Sequence, residues 1–207
     1  MDKKNIFSNL KQGLTVTVIL MLLCGLVFPL VLAGISSVLF PAQSKGSLVE
    51  AGGKVVGAEY VGQQFTEDYF MKGRPSAVGY NTYETKEEAL VPSSGSNNYA
   101  PSNPELVKRV ENDIEAFLEA NPDVKKEDIP TDLLTASGSG LDPHISPASA
   151  EVQIPALAEN SGISEERLGE IVENNTKGKL FGLIGEKTVN VLGVNIEIAE
   201  EMGLIKK

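Results

Sequence analysis

The sequence is poor in cysteine: Cys24 is the only one among 207 residues. One thiol cannot form a disulfide within the chain, and a thiolate metal site needs several cysteine or histidine ligands at close spacing. Cys24 also lies inside a long apolar run, so the remainder of the chain contains no thiol. That remainder must be stable by packing alone.

Basic residues are also scarce, with 18 lysines and arginines against 28 acids and a net charge of −10. The tail before Ser44 contains three lysines and Asp2, so it carries +2 and the remainder carries −12. An acidic domain repels nucleic acid and anionic lipid headgroups and attracts cations. We therefore expect no nucleic-acid partner.

Charged residues are absent from Leu14 to Phe40, a stretch of 27 residues. A helix of this length reaches about 40 Å, and the hydrocarbon core of a bilayer is about 30 Å thick. Pro29 would break a helix in water, but a kink is tolerated in a membrane if neighbouring helices satisfy the freed carbonyl groups. The stretch predicts a transmembrane helix, with a partner, in a lipid bilayer.

Two kinds of cleaved leader are alternatives to this interpretation. A secretory signal also follows lysines, but its apolar core has only about 7–15 residues. Leu32, Ala33 and Gly34 resemble the approach to a lipoprotein cleavage site, yet Ile35 stands where a lipid-bearing cysteine is required. Both alternatives fit the sequence less well than an uncleaved span.

The lysines of the tail set the expected topology. Cytoplasmic flanks of membrane spans are enriched in lysine and arginine, so we predict a cytoplasmic tail at 1–13. The predicted transmembrane helix occupies 14–40, and 41–207 then form one extracytoplasmic soluble domain. About 165 residues are enough for one domain and too few for two of ordinary size.

Local patterns predict an α+β fold for this domain, a small mixed sheet with about four helices. Two short apolar runs flank Gly52 and Gly53, which is typical of a hairpin. A helix is predicted from Pro104 with Asn103 as its N-cap. Further predictions are a helix from Pro147 that Pro155 interrupts, a helix after Ser164, a strand Thr188–Leu192, and a last helix capped by Asn195 and ended by Gly203.

Few residues suggest chemistry. Ser139, Asp142 and His144 suggest a hydrolase, but Ser137 replaces the first glycine of a nucleophile elbow and the three lie too close in sequence to indicate a triad. Asp142 with Glu151, and the acids Glu84, Glu87 and Glu88, lack the spacing of a calcium loop, so no metal site is predicted. Arg74 is expected to pair with an acid rather than bind phosphate.

Four segments resemble the KdpC family, the C subunit of the Kdp potassium-transporting P-type ATPase of bacteria and archaea. They are GQQFTEDYFMKGRPSAVGYN, SSGSNNYAPSNPEL, TASGSGLDPHISPASAEVQIP and GEKTVNVLGVN. The resemblance covers nearly the whole chain in order, including Gly25, Phe28 and Pro29 of the apolar run. It implies a prokaryotic cell membrane and a non-catalytic accessory subunit of an ATP-driven potassium uptake complex.

The resemblance also implies partners: a channel-like potassium-binding subunit, a P-type catalytic subunit and a small single-span subunit. ATP, magnesium and potassium are used by that complex, and no cofactor is expected on this chain, which lacks the DKTGT phosphorylation sequence. Two roles are open for the C subunit. It stabilises the assembly and caps the channel-like subunit from outside, or it is a catalytic chaperone that raises the ATP affinity of the P-type subunit, with Gln153 as the nucleotide contact.

The predicted topology favours the first role, because ATP is cytoplasmic. Loops rich in small polar residues are frequent binding surfaces. The expected partner-interface residues are Gln63, Arg74, Pro75, Ser76, Asn81, Ser94, Gly95, Ser96, Asn97, Asn103, Ser137, Gly138, Ser139, Gly140, Asp142, Pro143 and His144. Two positions depart from the family pattern: Ser94 stands before a single glycine where two glycines are usual, and Ala156 stands where arginine is common.

Overall fold

The computed structural model describes residues 3–83, 85 and 91–206, with side chains from residue 7 onward. It divides into two compact units, one ending at Ser47 and one from Leu48 to Lys207. The helices are α1 Lys3–Leu22, α2 Phe28–Leu39, α3 Pro41–Ser44, α4 Pro104–Ala120, α5 Pro147–Glu151, α6 Ile154–Ser161, α7 Glu165–Asn174 and α8 Val191–Glu201. The strands are β1 Leu48–Ala51, β2 Lys54–Ala58, β3 His144–Ile145, β4 Thr176–Lys177 and β5 Thr188–Asn190.

The first unit contains one long apolar helical run. Phe7–Leu39 is long and apolar enough to cross a membrane. A π-helical turn, Leu23–Val27, joins α1 to α2 just before Pro29. A proline ring clashes with the carbonyl four residues earlier, here that of Gly25, which lies within the wider turn. The irregularity that Pro29 introduces thus coincides with this turn, and the partner for the helix stays a prediction.

The second unit begins with the predicted hairpin. β1 and β2 pair antiparallel, with Ala51 opposite Lys54. Gly52 and Gly53 form the turn with φ of 58° and 76°. Both lie in the left-handed region, which glycine enters without a steric cost, so the hairpin prediction is confirmed.

The core lies around a three-stranded antiparallel sheet in the order β3-β5-β4. β5 is the central strand, and α5, α7 and α8 pack nearby. A single buried cluster joins the sheet to these helices, and its members are Met71, Ile145, Ala150, Leu157, Leu168, Ile171, Val172, Val189, Val191, Val194 and Ile198. The α+β prediction is confirmed for this unit, but the prediction of one small mixed sheet was wrong. The described strands form two separate sheets, and each of their pairs is antiparallel.

The predicted start of α4 is also confirmed. The side chain of Asn103 accepts a hydrogen bond from the N–H of Glu105, and Pro104 occupies the first turn. The apolar face of the helix is half-buried along its length and none of its residues is fully buried; these residues are Leu106, Val110, Ile114, Phe117 and Leu118. This helix therefore covers the domain without entering its core.

Two predicted boundaries were wrong. Pro155 does not end a helix: it stands in the first turn of α6, where its missing N–H has no partner to lose. Asn195 does not cap the last helix: Asn190 does, accepting from the N–H of Gly193, and β5 accordingly ends two residues earlier than predicted. Asn195 instead lies in the middle of α8 and is 2% exposed.

Candidate functional site

Three polar loops meet on the second unit, and we call residues 73–81, 93–95 and 137–144 together the loop cluster. Ser76 lies at the centre of it. Its hydroxyl donates to the carbonyl of Gly140 at 2.6 Å and accepts from the N–H groups of Tyr80 at 3.0 Å and Val78 at 3.2 Å. One hydroxyl therefore both closes the first loop and joins it to the third.

Arg74 and Asp142 make a second connection between these loops. The guanidinium donates to the Asp142 carboxylate at 3.0 Å and to the carbonyl of Thr135, so the expected pairing of Arg74 with an acid is confirmed. The pKa of Asp142 lies below its ordinary value, although burial alone would raise it. It is lowered by the His144 side chain, 3.7 Å from the same carboxylate, by the His144 N–H at 3.0 Å, and by Arg74. Asp142 is an ionised link in the cluster.

Two glycines allow the loops to approach this closely. A Cβ on Gly62 would lie 2.5 Å from the Tyr80 ring and 2.6 Å from the Asp142 carbonyl oxygen. A Cβ on Gly140, whose φ is 68°, would lie 2.7 Å from the Val78 side chain and 2.8 Å from the Gly95 carbonyl oxygen. The backbones therefore touch without space for a methyl group.

Residues 93–95 are held from both sides. The Asn81 amide accepts from the N–H of Ser93 and donates to its carbonyl, both at 3.0 Å. The Ser94 hydroxyl and the Gly95 N–H both donate to the Ser139 carbonyl, at 3.0 and 2.8 Å. A segment with the composition of a linker is thus tied into the cluster.

Other predicted interface residues lie in this cluster, lie beside it, or serve the local fold. Gln63 donates to the carbonyl of Val56 in β2, and Asn103 caps α4. Pro75, Ser96 and Asn97 line a surface hollow of about 400 Å³ next to the cluster. The remaining predicted residues form the turn of the third loop: Ser137 is buried and accepts from the Gly140 N–H, Pro143 accepts from the Val191 N–H, and Gly138 has open space at its Cβ position.

The cluster does not have the arrangement of a hydrolase. The Ser139 hydroxyl accepts from the N–H of Leu141 at 3.1 Å, whereas His144 Nδ1 faces Asp142. Among the described residues, no three histidine, cysteine, aspartate or glutamate side chains gather as metal ligands. Glu84, Glu87 and Glu88 lie outside the described residues.

Two buried amides hold the segment that leads into the cluster. Gln153 accepts from the N–H of Lys72 at 2.9 Å and donates to its carbonyl, and it also donates to the carbonyl of Ser149. Asn195 does the same for Met71, at 2.8 and 2.9 Å. Together the two amides supply Met71 and Lys72 with the backbone hydrogen bonds that a neighbouring strand would otherwise form.

A groove of about 510 Å³ runs beside Gln153, between the end of α4 and α6. Its charged lining consists of Asp68, Glu119, Glu159 and Lys72. The Lys72 ammonium donates to the carbonyls of Phe65, Thr66 and Glu67, and burial lowers its pKa. We call this surface the acidic groove, because its lining contains three acids and one lysine whose ammonium already binds backbone carbonyls.

The chain matches the family model described as K+-transporting ATPase, c chain, over residues 10–200. It is 62% identical over 205 residues to the potassium-transporting ATPase KdpC subunit of Clostridium kluyveri, covering 97% of this chain and 98% of that protein. The subunits of Clostridioides difficile and Caldanaerobacter subterraneus are 58% and 45% identical, covering 95% and 96% of this chain and 99% and 98% of those proteins. The chain belongs to the KdpC family.

The resemblance inferred from the sequence is thereby confirmed, and this KdpC-family chain is a membrane-associated subunit of a potassium-transporting ATPase. The structure places the two positions at which the sequence departs from the resemblance. The Ser94 hydroxyl donates to the Ser139 carbonyl. Ala156 lies on the wall of the acidic groove, where an arginine would have added a second cation.

Sequence reasoning missed several residues on which this KdpC-family surface depends. The Tyr80 hydroxyl donates to the Arg74 carbonyl at 2.7 Å, and burial raises the pKa of Tyr80 to about 12. Gly62 and Asn195 were missed as well. The sequence gives no sign that Gly62 contacts Tyr80, because only the fold brings these two residues together.

Proposed function

We propose that this chain is a non-catalytic accessory subunit that stabilises the potassium-transporting ATPase and covers the channel-like subunit from outside the cell. Its N-terminus lies in the cytoplasm, its apolar helix spans the membrane once, and its second unit is extracytoplasmic. The loop cluster docks on the channel-like subunit, while the P-type subunit and a small single-span subunit complete the assembly. ATP, magnesium and potassium are handled by these partners.

The cross-linked loop cluster is the observation that carries this proposal. Rigid loops lose little conformational entropy when they bind, so a preorganised surface favours docking. The bonds from Ser76, Arg74, Asn81 and Ser94 fix three loops that would otherwise be mobile. Loops held this firmly, without a catalytic arrangement, are typical of a recognition surface.

The charge of the chain supports a position over a cation pathway. A negative surface raises the local cation concentration, although salt screens the effect beyond about 8 Å at physiological ionic strength. The acidic groove is one such surface. It would increase the rate of ion capture, whereas selection of potassium over sodium requires a ring of dehydrating carbonyls and belongs to the channel-like subunit.

The alternative is a catalytic chaperone in which Gln153 contacts ATP. The geometry gives this alternative little support, because Gln153 is 3% exposed and both ends of its amide are hydrogen-bonded to backbone. A nucleotide could reach the amide only if the bonds to Lys72 were broken. An extracytoplasmic domain would also lie on the wrong side of the membrane for ATP.

Topology is tested with single cysteines, since Cys24→Ser leaves the chain without a thiol. Glu166→Cys in that background, at an exposed position on α7 outside the loop cluster, should react with a membrane-impermeant maleimide in intact cells. Lys11→Cys, in the exposed tail, should react only after the cells are permeabilised. The reverse labelling pattern would overturn the proposed orientation and make the chaperone role the better hypothesis.

Docking is tested by co-purification of the tagged full-length chain from membranes. Asn97→Arg and Ser139→Arg add bulk and charge to exposed positions in or beside the loop cluster, and each should reduce recovery of the channel-like subunit. Glu166→Arg, at an exposed position on α7, is the matched control and should leave recovery unchanged. Equal recovery for all three variants would exclude the loop cluster as the docking surface.

A further inference from the structure

A second surface on the same unit has the opposite character to the loop cluster. The loop between β4 and β5 presents four large apolar side chains to solvent, and we call residues 180–184 the apolar tip. Leu180 is 60% exposed, Phe181 87%, Leu183 84% and Ile184 66%. A patch of this kind on a water-soluble unit marks an interaction site, since isolated exposed apolar residues are common but contiguous ones are not.

The apolar tip has a defined conformation. Leu180 and Ile184 exchange both backbone hydrogen bonds, at 2.8 and 3.1 Å, which closes the tip above the β4-β5 hairpin. Phe181 has φ of 52°, a left-handed backbone that a bulky residue rarely adopts. Such conformations persist where the surrounding structure enforces them, and they are concentrated at functional positions.

Lysines flank the apolar tip on both sides. Residues 177–187 contain Lys177, Lys179 and Lys187 against the single acid Glu186, in a chain whose net charge is −10. Lys179 lies 3.8 Å from Glu186, and Lys177 pairs with Glu59 on the neighbouring hairpin. An apolar centre with a basic border matches the acyl chains and anionic headgroups of a lipid surface.

The chain also keeps this unit close to a bilayer. Residues 40–47 are the covalent connection between the candidate span and β1, and eight residues extend over at most about 28 Å. A tether of this length raises the effective concentration of the membrane at the surface of the unit. Even a weak interfacial contact is then occupied most of the time.

We propose that the apolar tip inserts into the lipid interface as a second membrane contact, with Lys179 and Lys187 at the headgroups. The inference goes beyond the proposed accessory role. Of the proposed function it requires only that the chain spans the membrane, and it does not depend on which side of the membrane the second unit lies. The proposal makes this one loop an exception to the expected repulsion between the acidic unit and anionic lipid.

The absence of tryptophan makes the test direct. Phe181→Trp gives the full chain a single indole, and the protein is reconstituted in phosphatidylcholine vesicles with or without phosphatidylglycerol. Vesicles that carry brominated acyl chains should quench most of this emission, and its maximum should be blue-shifted. Val91→Trp, at a position 75% exposed on the same unit, is the matched control and should remain unquenched.

Two further variants complete the experiment. Leu32→Trp lies within the candidate span and reports whether the chain is inserted at all, so loss of its quenching would overturn the anchor and this proposal together.

Lys179→Glu with Lys187→Glu should reduce quenching of Phe181→Trp more in vesicles with phosphatidylglycerol than without it. If Phe181→Trp is unquenched while Leu32→Trp is quenched, the tip does not contact lipid. A blue shift that appears only when the other subunits are added would assign the tip to a protein partner and also overturn the proposal.

Discussion

Gln153 binds both backbone groups of Lys72, so a glutamine side chain takes the place that a neighbouring strand would occupy. Asn195 binds both backbone groups of Met71, the residue before Lys72, in the same way. An extended segment with no sheet partner is thus satisfied by two amides from two different helices. The loop cluster begins at the next residue, so these amides set the position from which it starts.

We predict that Gln153→Ala lowers the free energy of unfolding by about 1–3 kcal/mol, because buried groups on Lys72 and Ser149 lose their partner. Asn195→Ala removes the equivalent pair from Met71 and should cost a similar amount. Denaturant unfolding of the full chain in detergent measures both. A neutral result for Gln153→Ala would mean that water replaces the amide.

The same two variants separate folding from nucleotide binding. Both weaken the same segment, but only Gln153 is the expected nucleotide contact of the chaperone alternative. We expect the assembled ATPase to need the same ATP concentration with either variant. A higher requirement for Gln153→Ala alone, at equal stability, would favour the chaperone role.

Glycine substitutions test the close approach of the loops. Gly62→Ala forces a methyl group into the Tyr80 ring and the Asp142 carbonyl, and Gly140→Ala adds backbone strain at positive φ. Each should destabilise the unit by about 1–3 kcal/mol. Gly138→Ala is the control, since open space surrounds its Cβ position and its backbone is not left-handed. Thermal unfolding that ranks Gly138→Ala with the other two would contradict the packing described.

Elements with strong local signals were predictable from sequence alone. The hairpin at Gly52 and the cap at Asn103 depend on residues adjacent in the chain, so pattern was sufficient. Asn195 was assigned to a cap because asparagine favours caps. In the structure its side chain instead binds the buried backbone of Met71, 124 residues earlier in the chain. The apolar tip was overlooked although LFGLIG stands between lysines, because a short apolar run more often indicates a buried strand.

Acid should destabilise the unit through two carboxylates. Burial raises the pKa of Asp132, but hydrogen bonds from Ser149 and Ser146 outweigh it, so the pKa is below its ordinary value, as it is for Asp142. A depressed folded-state pKa adds stability above the unfolded value of about 3.9 and loses it as the pH falls toward the folded value. Unfolding free energy should therefore decline below about pH 4.

The variant Asp132→Asn isolates one of these contributions. It removes the ionised acceptor of the Ser146 cap, so stability near neutral pH falls by about 1 kcal/mol and the acid-dependent loss becomes smaller. Asp123→Asn, at an exposed turn position, should change neither quantity. Denaturant curves at several pH values distinguish them, and an unaltered pH profile for Asp132→Asn would contradict the assignment.

The acidic groove makes a prediction about transport itself. Asp68→Asn, Glu119→Gln and Glu159→Gln together remove three charges from the lining of the groove without changing side-chain size. If the groove concentrates cations for the channel-like subunit, the potassium concentration for half-maximal ATPase activity should rise by less than about tenfold. The increase should disappear at high ionic strength, since screening removes the field of exposed charges.

The control replaces the exposed acids Glu165, Glu166 and Glu170 of α7 by glutamine, which makes the same change in net charge away from the groove. Equal shifts in both triple variants would show that net charge matters and the groove does not.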